Sequence, residues 1–165
     1  MIMSLKLIQS EKKFRSDQVI PSLLEYLTLR PVASGADVCF NFIEYAYGQY
    51  LTIDTTSNPL FQAMIQHCRC IFFATNDVYS YQKEKREGDV MNLVMVYESE
   101  LNLTTKQAFD KVFEYIEENV KYYMMYKERV KTNLTQDIQF YIHGMEQLLA
   151  GYHDFHFDSN RYEHD

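Results

Sequence analysis

Tryptophan is absent from this chain, and proline and glycine are scarce, with 3 and 5 copies in 165 residues. Breaks in regular structure therefore have few places to fall, and each Gly or Pro carries positional meaning. Cysteine is equally sparse. Cys39, Cys68 and Cys70 cannot build the disulfide framework of a small secreted domain, and Cys68-Arg69-Cys70 has no second pair to complete a zinc site. They are expected as reduced, helix-buried thiols of a cytoplasmic protein. No apolar run approaches a membrane span, and Met1 to Lys13 shows no cleavage signal. Positive charge is in deficit: 16 Lys and Arg against 23 Asp and Glu leave a net −7, which argues against a general nucleic-acid or anionic-membrane surface. An anionic ligand would need a local cluster of Arg and Lys.

Alternating strand patterns, internal repeats and interdomain linkers are also missing, and what is there reads as an all-α chain. Residues 1–15 are basic and are expected as an irregular tail, leaving 16–165 as the helical domain. A first helix is predicted over about Asp17 to Leu29, with Pro21 in its first turn and Pro31 stopping it after Arg30. Ala33-Ser34-Gly35 is a small-residue break. A second helix is predicted over Ala36 to Tyr47, ending at Gly48. Gln49 to Ser57 reads as loop, and Asn58-Pro59 supplies a cap and first-turn proline for a long helix to about Glu87. Gly88-Asp89 breaks it. A short helix follows over Asn92 to Glu100, then one from Thr104 or Thr105, and a last one over about Thr135 to Ala150 with Gly151 as its stop.

The long helix carries Asn76-Asp77-Val78-Tyr79-Ser80-Tyr81-Gln82-Lys83-Glu84. Asn76, Ser80 and Glu84 stand four apart and share one face. An amide oxygen, a hydroxyl and a carboxylate are hard donors, suited to magnesium with waters and phosphates completing its shell. Lys83 adds a compact positive charge beside them, suited to a phosphate.

This string, followed by Gly88-Asp89 and Asn92-Leu93-Val94, resembles the second metal motif of class I terpene synthases. Two distant sites agree. Arg30 stands 46 residues before Asn76, where the family carries a diphosphate-sensing arginine, and Ser34 with Gly35 falls where it carries an effector break. Near the C-terminus, Tyr152-His153-Asp154-Phe155-His156-Phe157-Asp158-Ser159-Asn160-Arg161-Tyr162 is similar to the pattern N-H-D-W-S-x-x-S-x-R-Y. Phe155 replaces the tryptophan and keeps a cation-facing ring. The three histidines His153, His156 and His164 also invite a zinc reading.

The resemblance implies Mg2+-dependent ionisation and cyclisation of a prenyl diphosphate, most simply farnesyl diphosphate. Asn76, Ser80 and Glu84 would hold the metal, Arg30, Lys83, Arg161 and Tyr162 the diphosphate, and Phe155 would face the carbocation. It also implies three ions in a complete enzyme, one of them on this half. The family's first motif, an aspartate-rich D-D-x-x-D/E, has no counterpart, because the chain contains no Asp-Asp pair. The resemblance thus covers the C-terminal half of a family member. Its expected partners are the prenyl diphosphate and either an aspartate-rich N-terminal half or a second copy of itself. The alternative is a noncatalytic helical interaction module derived from that family.

Overall fold

The computed structural model of the chain describes residues 2–133 and 138–158. Among them lie α1 (Ile2–Asp17), α2 (Leu23–Ala33), α3 (Ala36–Tyr47), α4 (Ile53–Ser57), α5 (Pro59–Glu87), α6 (Leu93–Leu101), α7 (Thr105–Asn133) and α8 (Gln139–Asp158), and no strand. The expected all-α architecture is what forms.

The boundaries of α3 and α5 fall where the sequence places them, because single residues set them. Asn58 Oδ1 accepts from the Leu60 and Phe61 amides, Pro59 opens α5, and Gly88 closes it with a left-handed φ of 73°. Five expectations are corrected. Within the expected irregular tail, residues 2–15 are helical, as part of α1. That stretch contains no Gly or Pro and is anchored by ion pairs from Arg15 to Asp89 and from Glu11 to Arg30, which its weak apolar period did not reveal. The first predicted helix begins later, at Leu23, because Ser22 and Glu25 form a capping box. Pro31 then sits inside α2 near its end and does not stop it. Part of the expected loop before Asn58 is the short α4, capped by Thr52. Finally α8 passes through Gly151 to Asp158, so His153 to Phe157 are helical. The ring of Tyr152 stacking on Phe72 at 3.9 Å and the burial of His156 offset a glycine's helix penalty of about 1 kcal/mol.

The frame is the pair α5 and α7. His67 stacks with Tyr122 and Tyr126, Phe73 meets Tyr115 and Tyr81 meets Phe109, so the two helices run antiparallel. Two cores flank this pair. Phe40 and Ile43 of α3, Met64 and Cys68 of α5, Val130 of α7 and Met145 of α8 fill the first. Tyr26 of α2, Phe73 of α5, the run Val90 to Tyr97 around α6, and Ala108 and Val112 of α7 fill the second. Each fully buried large side chain stabilises by about 1.5–3 kcal/mol. The cysteines are free thiols, Cys68 and Cys70 buried and Cys39 half-buried. No described helix is long and apolar enough to cross a membrane.

Candidate functional site

The motif lies on the second half of α5, between α2 on one side and α8 on the other. Asn76 and Glu84 are half-buried and Ser80 is buried, its Oγ donating to the Asn76 carbonyl oxygen at 2.8 Å. Ser80 thus stays beside Asn76. Glu84 is held from α6: Asn92, itself fully buried, donates from Nδ2 to Glu84 Oε2 at 2.9 Å and to the Asp77 carbonyl oxygen at 2.8 Å. Its Oδ1 meanwhile caps α6 through the Val94 amide. One asparagine therefore ties the far end of the donor stripe to the start of the next helix.

The fold closes the 46-residue gap between Arg30 and Asn76. Arg30 Nη2 lies 3.4 Å from Asn76 Oδ1 and 3.0 Å from Asp77 Oδ1, and Nε donates to the Tyr26 hydroxyl at 3.1 Å. Arg30 is 8% exposed. Asp77 is the centre of this cluster and has no exposed surface. Its Oδ2 accepts from the Tyr26 hydroxyl and, at 2.9 Å, from the Leu93 amide. Burial pushes the Asp77 carboxyl up to about 6, with Arg30 opposing and the Glu84 charge adding to the rise. Glu11 of α1 adds a second carboxylate 3.8 Å from Arg30 Nη1.

Lys83 stands on the same helical stripe as Asn76, about 10 Å further along the axis, and its ammonium lies 3.9 Å from Glu87. Ser34 caps the C-terminus of α2, its amide bonded to the Arg30 carbonyl oxygen, and Gly35 takes a left-handed φ of 78° where α3 begins. The break is present at the expected residues. Phe155 is 52% exposed on α8 with its ring edge on His156, so among the described residues no pocket encloses it. Arg161 and Tyr162 lie outside the described residues, as do Ser159 and His164. No cluster of three or more His, Cys, Asp or Glu able to hold a metal occurs among the described residues, and His164 of the zinc reading lies outside them.

The donor chemistry of Asn76, Ser80 and Glu84 suits a hard divalent cation, since all three offer oxygen from one helical face. Sequence reasoning passed over Asp77 and Tyr26 as partners of the site and gave His156 only a zinc reading. Asp77 had a signal: an acidic residue in the apolar half of a long helix, about 100° round from Asn76, must find a buried partner. Tyr26 and Arg30, four apart on α2, supply it.

The helices of the described residues, arranged in this way, match the all-α fold of terpene synthases in solved structures. The family model described as "Terpene synthase family 2, C-terminal metal binding" matches residues 2–122, and the chain belongs to that family. Among curated relatives, a sesquiterpene synthase of Postia placenta is 24% identical over 90% of this chain and 45% of its own length. The (+)-eremophilene synthase of Sorangium cellulosum is 28% identical over 92% of this chain and 46% of its own. The chain thus spans about half the length of these relatives. Among solved structures, 2-methylisoborneol synthase of Streptomyces coelicolor, in complex with Mg2+ and geranyl-S-thiolodiphosphate, superposes with a TM-score of 0.87 at 21% identity, covering 99% of this chain and 53% of that one. At that identity the superposition speaks to the fold.

Proposed function

We propose that this chain is the diphosphate-binding half of a terpene cyclase acting on a prenyl diphosphate, with farnesyl diphosphate as the favoured substrate. The observation that carries it is the contact of Arg30 with Asn76 and Asp77 across 46 residues of sequence. Asp77 and Glu11 neutralise the buried guanidinium, and its Nη2 still reaches Asn76 Oδ1 at 3.4 Å, which supports a cationic group beside the oxygen stripe where a metal-bound diphosphate would lie. Asn76, Ser80 and Glu84 would hold one Mg2+, and bound Mg2+ would neutralise charge on the departing diphosphate. Arg30, Lys83, Arg161 and the Tyr162 hydroxyl are the groups proposed to take its oxygens. Ser34 and Gly35, at the break directly after Arg30, are proposed to relay diphosphate binding to the apolar chamber. Phe155 is proposed to gain its pocket only when further helices cover α8. The ionised substrate must be kept from water, so the complete cyclase requires a closed apolar chamber.

The second reading, a helical module without turnover, rests on the missing Asp-Asp pair. The two separate in one experiment. The chain is fused behind the part of the Postia relative that it does not match and incubated with Mg2+ and farnesyl diphosphate, and volatiles are read by gas chromatography. Cyclic product that disappears with Glu84→Gln and Arg30→Ala supports the cyclase reading. A folded fusion without product, or product indifferent to both substitutions, overturns it.

A further inference from the structure

His156 is 3% exposed, lies on α8, and packs against the motif helix. Its Nδ1 is 2.7 Å from the Tyr152 carbonyl oxygen, a group that can only accept, so Nδ1 carries the ring proton. Nε2 then presents a lone pair, and it stands 3.0 Å from Asn76 Nδ2, a group that can only donate. The other atom of the same carboxamide, Oδ1, faces Arg30. Both ends of the amide are thereby assigned by their partners: nitrogen to α8, oxygen to the donor face. The imidazole is itself held by ring contacts with Tyr152 at 4.2 Å, Tyr79 of α5 at 5.3 Å and Phe155 at 5.6 Å. In the C-terminal pattern this segment resembles, the position of His156 is a serine, whose side chain ends at Oγ and is far shorter.

We propose that His156 is a positioning residue of the metal motif: it holds the Asn76 carboxamide by its nitrogen so that Oδ1 is the atom offered to the ion. This rests on the reading of Asn76 as a ligand. A rotated amide would offer Nδ2, which carries hydrogens and binds no divalent cation. Partners of this outer kind, fixing the orientation of a ligand they do not replace, set metal affinity by factors of about 10 to 100. Glutamine at 156 can accept from Asn76 Nδ2 through its own amide oxygen, whereas leucine fills the space without accepting.

The test uses the full chain and Mn2+ alone as probe, with bound ion read as loss of the free Mn2+ electron paramagnetic resonance signal. Thermal melts by circular dichroism confirm that each variant is folded. Wild type is expected to bind, Asn76→Ala to lose the site, His156→Leu to weaken it about 10- to 100-fold, and His156→Gln to return close to wild type. Independently of metal, the side-chain amide resonances of Asn76 in a 15N correlation spectrum should move in His156→Leu and hold in His156→Gln. If Asn76→Ala loses the site while His156→Leu binds as wild type does, or if folded His156→Gln is as weak as His156→Leu, the positioning role is overturned and the metal reading stands. If wild type takes up no Mn2+, or Asn76→Ala takes up as much, the metal reading falls and this role with it.

Discussion

Asp77 and Arg30 show how far one pair of residues can decide a local fold. Both charges are buried, and each satisfies the other, so removing one strands its partner in a low-dielectric setting. Asp77→Ala is expected to lower unfolding free energy by about 3–5 kcal/mol, measured by urea denaturation. A loss below about 1 kcal/mol would mean that water reaches Arg30 and the cluster is not a sealed one. Glu98 makes a second case, with the sign set by pH. Burial pushes its carboxyl up, but bonds from Thr105 at 2.5 Å and Tyr81 at 2.9 Å, together with Lys85, outweigh this and hold it below the ordinary carboxylate range. Its folded value lies below the unfolded one. The stabilisation is therefore present above the unfolded pKa and fades as pH falls through the folded one. Urea midpoints of wild type and Glu98→Gln should differ at neutral pH and converge on acidification; a gap constant with pH would assign the contribution to packing.

At the scale of elements, the helices that could be read in advance were those with sharp ends. Asn58-Pro59 and Gly88 bracket α5, and Gly35 and Gly48 bracket α3, because caps and left-handed turns are written in single residues. The elements that were misread lack such marks or override them. α1 depends on ion pairs to residues far along the chain, and Gly151 is carried through α8 by the packing of Tyr152 and His156. The site divides in the same way. The spacing of Asn76, Ser80 and Glu84 is a property of one helix, whereas the approach of Arg30, Asn92 and His156 belongs to three others and has no local signature. One contact between elements is sharp enough to predict. A Cβ at Gly144 of α8 would overlap Ile43 Cγ2 of α3 and come within 3.2 Å of Tyr47. Gly144→Ala gains about 1 kcal/mol of helix propensity. Overpacking against a β-branched neighbour that cannot rotate away costs about 1–3 kcal/mol and decides the sign. The variant should be less stable than wild type, and combining it with Ile43→Ala should recover part of the loss in a double-mutant cycle.

For the molecule as a whole, the unshared surface matters most. Val38, Phe42 and Tyr45 are 60%, 62% and 79% exposed, at positions that place them on one side of α3. Together they make an apolar stripe of the kind that marks an interaction surface. The isolated chain is expected to self-associate at micromolar concentration, with Phe42→Glu shifting it toward monomer in sedimentation velocity. It is also expected to form no cyclic product from farnesyl diphosphate by itself. Under the proposed reading, in which this half holds one of three ions, the charge of the other two is not supplied, and every tenfold loss of rate corresponds to about 1.4 kcal/mol of barrier. Robust turnover by monomeric chain would show that this half supplies more of the chemistry than its one donor stripe suggests.

The antiparallel pair α5 and α7 has a kinetic consequence. These helices are joined through α6 by a short stretch of chain, and most of the second core is gathered between Phe73 and Val112. Contacts so near in sequence form early and without closing long loops, which is the condition for rapid folding. Under the proposed cyclase reading, an aspartate-rich half supplied in trans would then meet a donor stripe already built. Encounter would be a docking of two rigid bodies, with an association rate set by orientation and charge instead of by the ordering of disordered chain. Amide hydrogen exchange would show it directly, as slow exchange across α5 and α7 in the unpartnered chain.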